Sequence, residues 1–281
     1  MIFAKTLEVI YLKKIFTAIL FSLLLLLLSL TSGCGSSNDK PANTVGMLTQ
    51  LNSTPEQAAK ISNGAAINFY ENFNSMQMAL QSEQIKSVRT YKSVAEYMTA
   101  NNSDLKINDA ATIQLVDDFC CAMRSDDVDL KNSFDTAINA MKSDGTLNAL
   151  IEKNIVNANE TPATVEMPQF DGADTIKVAV TGDLPPLDFV NADGTPAGFN
   201  TALLAEISKR IGKNIELVQV DSGARAAALT SGQVDVIFWV VVPEDDSRPK
   251  NIDTPDGVSV TSPYYRDTVV DVNLSNLGGG F

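Results

Sequence analysis

Histidine is absent from the 281-residue chain, and tryptophan occurs once. Histidine is the usual general base near neutral pH and the commonest metal ligand in proteins. Its absence argues against most acid–base chemistry and against most zinc and transition-metal sites. No nucleophile–base arrangement is apparent among the other side chains. We therefore predict no catalytic residues, no metal site and no cofactor.

Basic side chains are scarce as well, since 21 Lys and Arg stand against 34 Asp and Glu, which gives a net charge of −13. Surfaces that bind nucleic acid carry the opposite sign, because contacts with phosphate supply much of the affinity. The composition thus predicts no nucleic-acid partner. It also predicts that attachment to an anionic membrane does not come from basic patches.

Cysteine is limited to Cys34, Cys120 and Cys121. A disulfide between the adjacent Cys120 and Cys121 would close a strained ring. The apolar residues around them favour a strand in which both act as small buried side chains. A redox pair is the alternative interpretation.

The first 34 residues have the order of a bacterial export signal. Three lysines precede an apolar run of 16 residues, Ile15–Leu30. A membrane-spanning helix needs about 20 residues, so the run favours a signal peptide over an uncleaved span. Small residues follow, and the next residue resembles the acylated cysteine of the bacterial lipobox. We predict a signal peptide over 1–33, a flexible tether over 34–44, and an extracytoplasmic protein held on the membrane, in the periplasm or on the outer cell surface, by acylated Cys34.

Residues 157–173 divide the rest of the chain, because they contain two prolines and a glycine and lack apolar periodicity. On each side the pattern alternates between short apolar strands and amphipathic helices, which is typical of an α/β fold. We predict a linker at 157–173 between two lobes, residues 45–156 and 174–273, with a tail over 274–281. Each lobe is expected to be a mostly parallel sheet flanked by helices.

Four stretches of the second segment resemble, in order, the family 3 extracellular solute-binding proteins. They read IKVAVTGDLPPLDF from Ile176, GFN from Gly198, AALTSGQVDVI from Ala227 and SPYY from Ser262. The resemblance implies a two-lobed, periplasmic-binding-protein-like fold of type II. It also implies a monomeric receptor that captures an amino acid, another small carboxylate or a similar polar solute for an ABC permease. Two alternatives stay open: an enzyme on the same scaffold, such as a dehydratase, and a sensing or scaffolding module without transport.

The first segment resembles the second lobe of the same family. Gly46 opens its first turn, Phe69–Phe73 precedes a characteristic helix, and Lys142–Leu147 resembles the closing helix pair. In ordinary members these parts follow the SPYY stretch, so their order here implies a circular permutation. A fusion of two partial copies is the alternative. The extended stretches Ile113–Met123 and Tyr265–Asn273 are predicted to cross between the lobes.

Binding residues are expected on loops at the carboxyl ends of parallel strands, where two lobes face each other. An arginine at such a loop can hold a carboxylate, and an aromatic side chain can form an apolar wall. We predict Arg225 and Trp239 in these two roles. The full predicted set is Asp183, Leu184, Ser222, Arg225, Trp239 and Arg248 from the second segment, and Asn52, Ser53, Thr54 and Tyr91 from the first. Valines replace the hydroxyl side chains that amino-acid-binding members carry after the third strand, so the ligand class stays open.

Overall fold

The computed structural model describes residues 44–49, 64–108, 115–158, 161–243 and 255–275. The strands are β1 Thr44–Leu48, β2 Ala66–Tyr70, β3 Ser87–Tyr91, β4 Leu105–Asn108, β5 Val116–Arg124, β6 Thr175–Val180, β7 Asp183–Leu184, β8 Asp188–Val190, β9 Pro196–Ala197, β10 Asn214–Gln219, β11 Val236–Pro243, β12 Val258–Val260 and β13 Tyr265–Leu274. The helices are α1 Phe73–Gln81, α2 Lys92–Asn101, α3 Val128–Asp144, α4 Thr146–Ile151, α5 Gly198–Ile211 and α6 Arg225–Thr230. A π-helical turn, Glu152–Val156, follows α4.

Local sequence signals account for most of these elements. Asn72 caps α1 by accepting a hydrogen bond from the backbone N–H of Ser75 at 2.8 Å. The stripe that includes Phe134 and Ile138 is the buried face of α3, and Gly145, in the left-handed conformation, caps its C-terminus. The short strand β4 and the π-helical turn were not predicted, because neither carries a pattern longer than one turn or four residues.

The main sheet has the strand order β10-β6-β11-β5-β13-β3-β1-β2 among the described residues, with β12 beside β5 and β4 beside β13. Strands β10, β6 and β11 are parallel, as are β2, β1 and β3. Strands β5 and β13 run antiparallel to their neighbours and to each other. The two halves of the sheet therefore have the same topology, with β5 in one half in the position of β13 in the other.

Strands β5 and β13 confirm the two predicted crossings. On one edge of β5, residues 116–119 pair with β13 and residues 122–124 pair with β12, while residues 117–123 pair with β11 on the other edge. Strand β13 likewise pairs with β5 at its start and with β3 and β4 further on. The described chain thus forms the predicted α/β, two-lobed, type II fold. We call the half with β6, β10, β11, β12 and β5 the β6 lobe, and the half with β1–β4 and β13 the β1 lobe.

Each lobe is built from both segments of the chain. Strand β5 belongs to the first segment but completes the β6 lobe, and helices α3 and α4, which follow it, pack on α5 of that same lobe. Strand β13 belongs to the second segment but completes the β1 lobe. In space, the division between lobes therefore falls before β5 and not at the predicted boundary, residue 156.

The described part of the linker follows the surface of the β6 lobe. Thr164 forms a bridge with Ala197. The backbone N–H of Phe170 donates to Oδ1 of Asn214 at 2.7 Å, and the Asn214 amide donates back to the Phe170 carbonyl at 3.1 Å. These contacts fix the path of residues that lack any apolar pattern.

Cys120 and Cys121 are free, buried thiols in β5. Burial raises the pKa of Cys120 to about 12 and raises the pKa of Cys121 as well. Both thiols are therefore protonated near neutral pH, as expected for small core residues. Within the described ranges, no helix has both the length and the apolar character to cross a bilayer.

Candidate functional site

The lobes meet where the loop after β6 reaches the start of α1. Asp183 lies on this loop, and its Oδ2 accepts a hydrogen bond from the backbone N–H of Phe73, the first residue of α1, at 2.8 Å. Asp183 is half-buried. Burial raises the pKa of Asp183, and the Phe73 hydrogen bond partly opposes this rise. A carboxylate of the β6 lobe thus caps a helix of the β1 lobe.

A second contact between the lobes joins two hydroxyl groups. The Oγ1 of Thr49, directly after β1, lies 3.5 Å from the Oγ of Ser222, which precedes α6. Thr49 Oγ1 also donates to Oε2 of Glu71 at 3.3 Å. Both hydroxyl groups lie at the carboxyl ends of parallel strands, where the sequence predicted the site.

Trp239 lies in an aromatic cluster that spans both lobes. The register of β11 against β5 shifts between Phe238 and Val240, so Trp239 occupies a bulge. Its ring stacks on Phe119 with centroids 5.0 Å apart, and the Tyr91 ring meets it edge-on at 5.9 Å. Tyr91 belongs to the β1 lobe, and its hydroxyl donates to Oδ2 of Asp117 at 3.1 Å.

Arg225 is fully buried beneath Trp239. Its Nη1 donates to the Trp239 carbonyl at 2.9 Å, and its guanidinium carbon lies 5.6 Å from the centre of the Trp239 ring. The bulge explains the first contact, because it takes Trp239 out of the strand ladder. The sequence predicted Arg225 as the anchor of an anionic ligand group, and this role stays a prediction.

Asp188 is a buried acid whose ionised form is favoured by the charge of this arginine. Its Oδ2 accepts hydrogen bonds from the backbone N–H groups of Thr181 at 3.0 Å and Gly182 at 2.9 Å. Burial raises the pKa of Asp188, while these N–H groups and the positive charge of Arg225 oppose the rise. Asp188 therefore shapes the loop that presents Asp183 and offsets the charge of Arg225.

A third buried acid contacts the start of α2, directly after Tyr91. Asp267 on β13 accepts hydrogen bonds from the side-chain hydroxyl and the backbone N–H of Ser93, the latter at 3.2 Å. Burial raises the pKa of Asp267 to about 6. Asp267 is directly opposite Asp117 in the pairing of β13 with β5. Two buried acids of the crossing strands thus contact the junction of β3 and α2 in the β1 lobe.

The structure brings several predicted residues together. Asp183 and Ser222 contact the opposite lobe, while Tyr91, Trp239 and Arg225 form one chain of contacts. Leu184 is fully buried beside Asp183 in β7. Asn52, Ser53, Thr54 and Arg248 lie outside the described residues, as does Cys34.

Sequence reasoning missed the three supporting acids, Asp117, Asp188 and Asp267. A signal was available, since each is an acid within a strand, where Asp is uncommon. A cavity of about 720 Å³ lies elsewhere, between α3 and α5, and contains none of the predicted residues. In the part of the chain that the structure describes, no three Asp, Glu or Cys side chains are grouped as metal ligands.

Comparison with known proteins adds a family match for the second segment. The sequence model of the bacterial extracellular solute-binding proteins, family 3, matches residues 176–272, from β6 into β13. The probable histidine-binding protein of Campylobacter jejuni is 30% identical over 102 residues, which are 36% of this chain and 37% of that protein. The chain thus spans little more than a third of the curated relative that it matches.

Solved structures that resemble this chain have lower sequence identity than the Campylobacter protein, but they cover more of the chain. The zinc-bound ligand-binding component of an ABC-type import system from Staphylococcus aureus is 13% identical, with a TM-score of 0.41, over 83% of this chain and 66% of that one. The protein Tv2483 bound to L-arginine is 11% identical, with a TM-score of 0.42, over 84% and 78% of the two chains.

Proposed function

We propose that the protein binds a small polar, amino-acid-like solute between its lobes and releases it unchanged. The observation that carries this proposal is the pair of crossing strands, β5 and β13, which join two lobes whose loops meet at Asp183 and Ser222. The family match of residues 176–272 supports the same function. A binding protein needs no catalytic group, and the chain offers neither histidine nor a nucleophile paired with a base.

Opening would occur by bending of β5 and β13, because these strands carry the chain between the lobes. Opening would separate Asp183 from the N–H of Phe73 and Thr49 from Ser222. A solute that enters would then take over some of these contacts when the lobes close. Binding and closure are therefore expected to occur together.

The test is a thermal-shift screen of amino acids, small carboxylates, amines and short peptides, with L-histidine as the first probe because of the Campylobacter relative. A solute present at 100 times its Kd should raise the free energy of unfolding by about 2.7 kcal/mol. Small-angle scattering should then show a smaller radius of gyration with the solute. Mass spectrometry should recover the solute intact, and its conversion would instead favour an enzyme.

We also propose that the predicted set lines the site. Asp183, Leu184, Ser222, Trp239 and Tyr91 would come from the described loops, joined by Asn52, Ser53, Thr54 and Arg248 from the two segments outside them. Arg225 would support the floor of the site, since it is buried and donates a hydrogen bond to the Trp239 carbonyl. Alanine substitutions at Ser222 and Tyr91 should weaken binding of the best solute, and unchanged affinity in both would remove them from the site.

The membrane anchor is a further part of the proposal. Cleavage before Cys34 and its acylation would tether the lobes outside the cytoplasm. Mass spectrometry of the purified protein should find a lipid-modified Cys34 at its N-terminus, and Cys34→Ser should release the protein from the membrane fraction. An unmodified Cys34, or a serine variant that stays on the membrane, would contradict the anchor.

An ABC permease is the proposed partner, and the receptor is proposed to act as a monomer. Light scattering during gel filtration should give the mass of one chain. Deletion of the protein should abolish ATP-dependent uptake of its solute, and unchanged uptake would favour a sensing or scaffolding role. The uptake measurement separates transport from other uses of the same binding site.

Finally, we propose that the lobes are circularly permuted relative to ordinary members of the family. The proposal is supported by chain order, because β5, α3 and α4 complete the β6 lobe but precede it in sequence. A variant that places residues 161–275 before residues 44–158, joined by a short glycine–serine linker, should fold and bind as the natural order does. Aggregation of that variant would favour two fused partial copies.

A further inference from the structure

The joint between the lobes is a short antiparallel ladder, in which residues 116–119 of β5 pair with residues 265–268 of β13. Side chains of a strand alternate between its two faces, so successive pairs of this ladder point to opposite sides. On one side Arg266 lies opposite Asp118, and its Nε donates to Asp118 Oδ1 at 2.7 Å. These opposite charges stabilise the pairing of the two strands on the solvent side.

The next pair of the ladder, on the other side, consists of two buried acids. Asp267 lies directly opposite Asp117, and their exposed fractions are 7% and 0%. Residues opposite each other in an antiparallel ladder have Cβ atoms about 5 Å apart. Two carboxylates at that separation, away from water, disfavour each other's ionised form. Tyr265, two residues earlier on the same side of β13, is neutral because burial raises the pKa of its hydroxyl.

The contacts of Asp267 fix the position of its carboxylate. The backbone N–H groups of Ser93 and Thr268 donate to it at 3.2 Å and 2.7 Å, and the Ser93 hydroxyl donates as well. On α2, the charge of Glu96 opposes its ionisation, and Lys92 pairs with Glu96 at 3.9 Å on the surface. Burial is the main cause that raises the pKa of Asp267, to about 6. Asp267 is therefore a buried acid that titrates close to neutral pH.

Strand β3 contributes one hydroxyl group and one base to this side of the joint. The Tyr91 hydroxyl donates to Asp117 at 3.1 Å. Arg89 is buried two residues earlier, and its Nε and Nη2 donate to the two carboxylate oxygens of Asp271 at 2.8 Å each. The charge of Arg89 is thus held by an acid that lies four residues beyond Asp267 on β13.

Closure of the lobes covers the two acids of the joint. Tyr91, which donates to Asp117, meets Trp239 of the β6 lobe edge-on, with ring centroids 5.9 Å apart. Opening would separate these rings and admit water to the carboxylates that Tyr91 covers. Because burial is the main cause of the raised pKa of Asp267, this pKa would then return towards the ordinary value of 3.8. The closed form thus binds a proton at Asp267 more tightly than the open form does.

We propose that Asp267, opposite Asp117 in the joint, is a switch that favours closed lobes when it is protonated and open lobes when it is ionised. The proposal rests on the opening described under the proposed function, but it concerns the lobes themselves and needs no solute for its test. A proton shifts this equilibrium only by its difference in affinity for the two forms. With a pKa of about 6 in the closed form and 3.8 in the open form, closure is favoured about tenfold more at pH 5 than at pH 7.5. Low pH would favour capture of a solute, and a rise in pH would favour its release.

The test follows the purified chain between pH 5 and pH 7.5 without added solute, while far-UV circular dichroism verifies that it stays folded. Opening exposes Trp239, the only tryptophan, so its emission should move to longer wavelength as pH rises. Small-angle scattering should show a larger radius of gyration at pH 7.5 than at pH 5. Asp267→Asn keeps an oxygen that accepts from Ser93 but cannot ionise, so both signals should stay at their low-pH values. The matched control Asp118→Asn removes an acid on the solvent side of the same ladder and should keep the wild-type transition.

A second variant keeps the acid and changes its pKa. Ser93→Ala removes a hydroxyl donor that lowers the pKa of Asp267, so it should move the transition to a pH higher by about one unit. This result decides the question even where Asp267→Asn does not fold, and an unmoved transition counts against the switch.

The outcomes separate this inference from the proposed function. The switch is refuted if neither signal changes with pH in the wild type, if Asp267→Asn retains the transition, or if Asp118→Asn abolishes it. In those cases a solute that binds in the thermal-shift screen leaves the proposed function standing. If the transition occurs as expected and no solute of the screen binds, the proposed function fails and the switch stands.

Discussion

Removal of the Asp188 charge tests whether the buried arginine depends on it. Both backbone N–H groups donate to the same oxygen, Oδ2. In Asp188→Asn the amide oxygen can accept both bonds, so this variant removes the charge and keeps the hydrogen bonds. Asp188→Ala removes both. Arg225 is buried, and its charge favours the ionised form of Asp188. A buried charge that is left without compensation typically costs about 3–5 kcal/mol.

We expect Asp188→Asn to lower the free energy of unfolding by about 3 kcal/mol, and Asp188→Ala by about 5 kcal/mol. With a urea m-value of about 3 kcal/mol/M, the first change lowers the unfolding midpoint by about 1 M. Arg225→Met replaces the buried charge with an apolar side chain of similar length. Because no charge is then left unpaired, the double variant Asp188→Asn, Arg225→Met should be at least 1 kcal/mol more stable than the sum of the single changes predicts.

The control is Asp193→Asn, at an exposed position in the same lobe. A surface substitution is expected to change the free energy of unfolding by at most about 0.5 kcal/mol, so the unfolding midpoint should change by less than about 0.2 M. Circular dichroism and tryptophan fluorescence report the transition, and Trp239, which contacts Arg225, is the only tryptophan. A midpoint for Asp188→Asn within that range of wild type, or strictly additive variants, would refute the electrostatic coupling of Asp188 with Arg225.

Three further predictions concern the fold. Gly198→Ala should lower the free energy of unfolding in urea by about 3 kcal/mol, since φ is +88° and a Cβ would lie 2.7 Å from the Pro186 carbonyl oxygen. The control Gly194→Ala, at φ +83° with open space around it, should lower it by about 1 kcal/mol. Asp267 has its pKa raised by burial from 3.8 to about 6, so the free energy of unfolding should fall as pH rises from 4 to 7. Asp267→Asn should remove about 2 kcal/mol of that fall, and an unchanged slope would contradict this prediction. Residues 44–158 and 161–275, expressed separately, should each fail to unfold cooperatively but should do so when mixed; a stable fold of either alone would refute the exchange of β5 and β13.

Much of the fold could be predicted because apolar patterns are local. The run of β6 and the buried stripe of α5 show in sequence that one face or both are covered. Which surface covers them is not local information. The stripe of α3 is equally suited to either lobe, and only the path of β5 into the β6 lobe decides that α3 packs on α5.

The residues of the candidate site also differ in whether local sequence could predict them. The rule that ligands bind at the carboxyl ends of parallel strands located Asp183 and Ser222, because it depends only on element order. The role of Arg225 could not be predicted, since it depends on Asp188, 37 positions earlier in the chain, and on a bulge at Trp239. A charged side chain in a motif does not reveal which internal charge it meets.

The exchange of β5 and β13 also governs when the protein can fold during its synthesis. The β1 lobe lacks β13 until residue 274 has left the ribosome, and the β6 lobe waits with β5 exposed until β11 and β12 are made. Neither lobe can thus be completed early by an emerging chain, although domains commonly fold in order of synthesis. This delay is compatible with the export that the first residues predict, because a translocation channel passes unfolded polypeptide. The strand order thereby keeps both lobes incomplete until almost the last described residue has been synthesised.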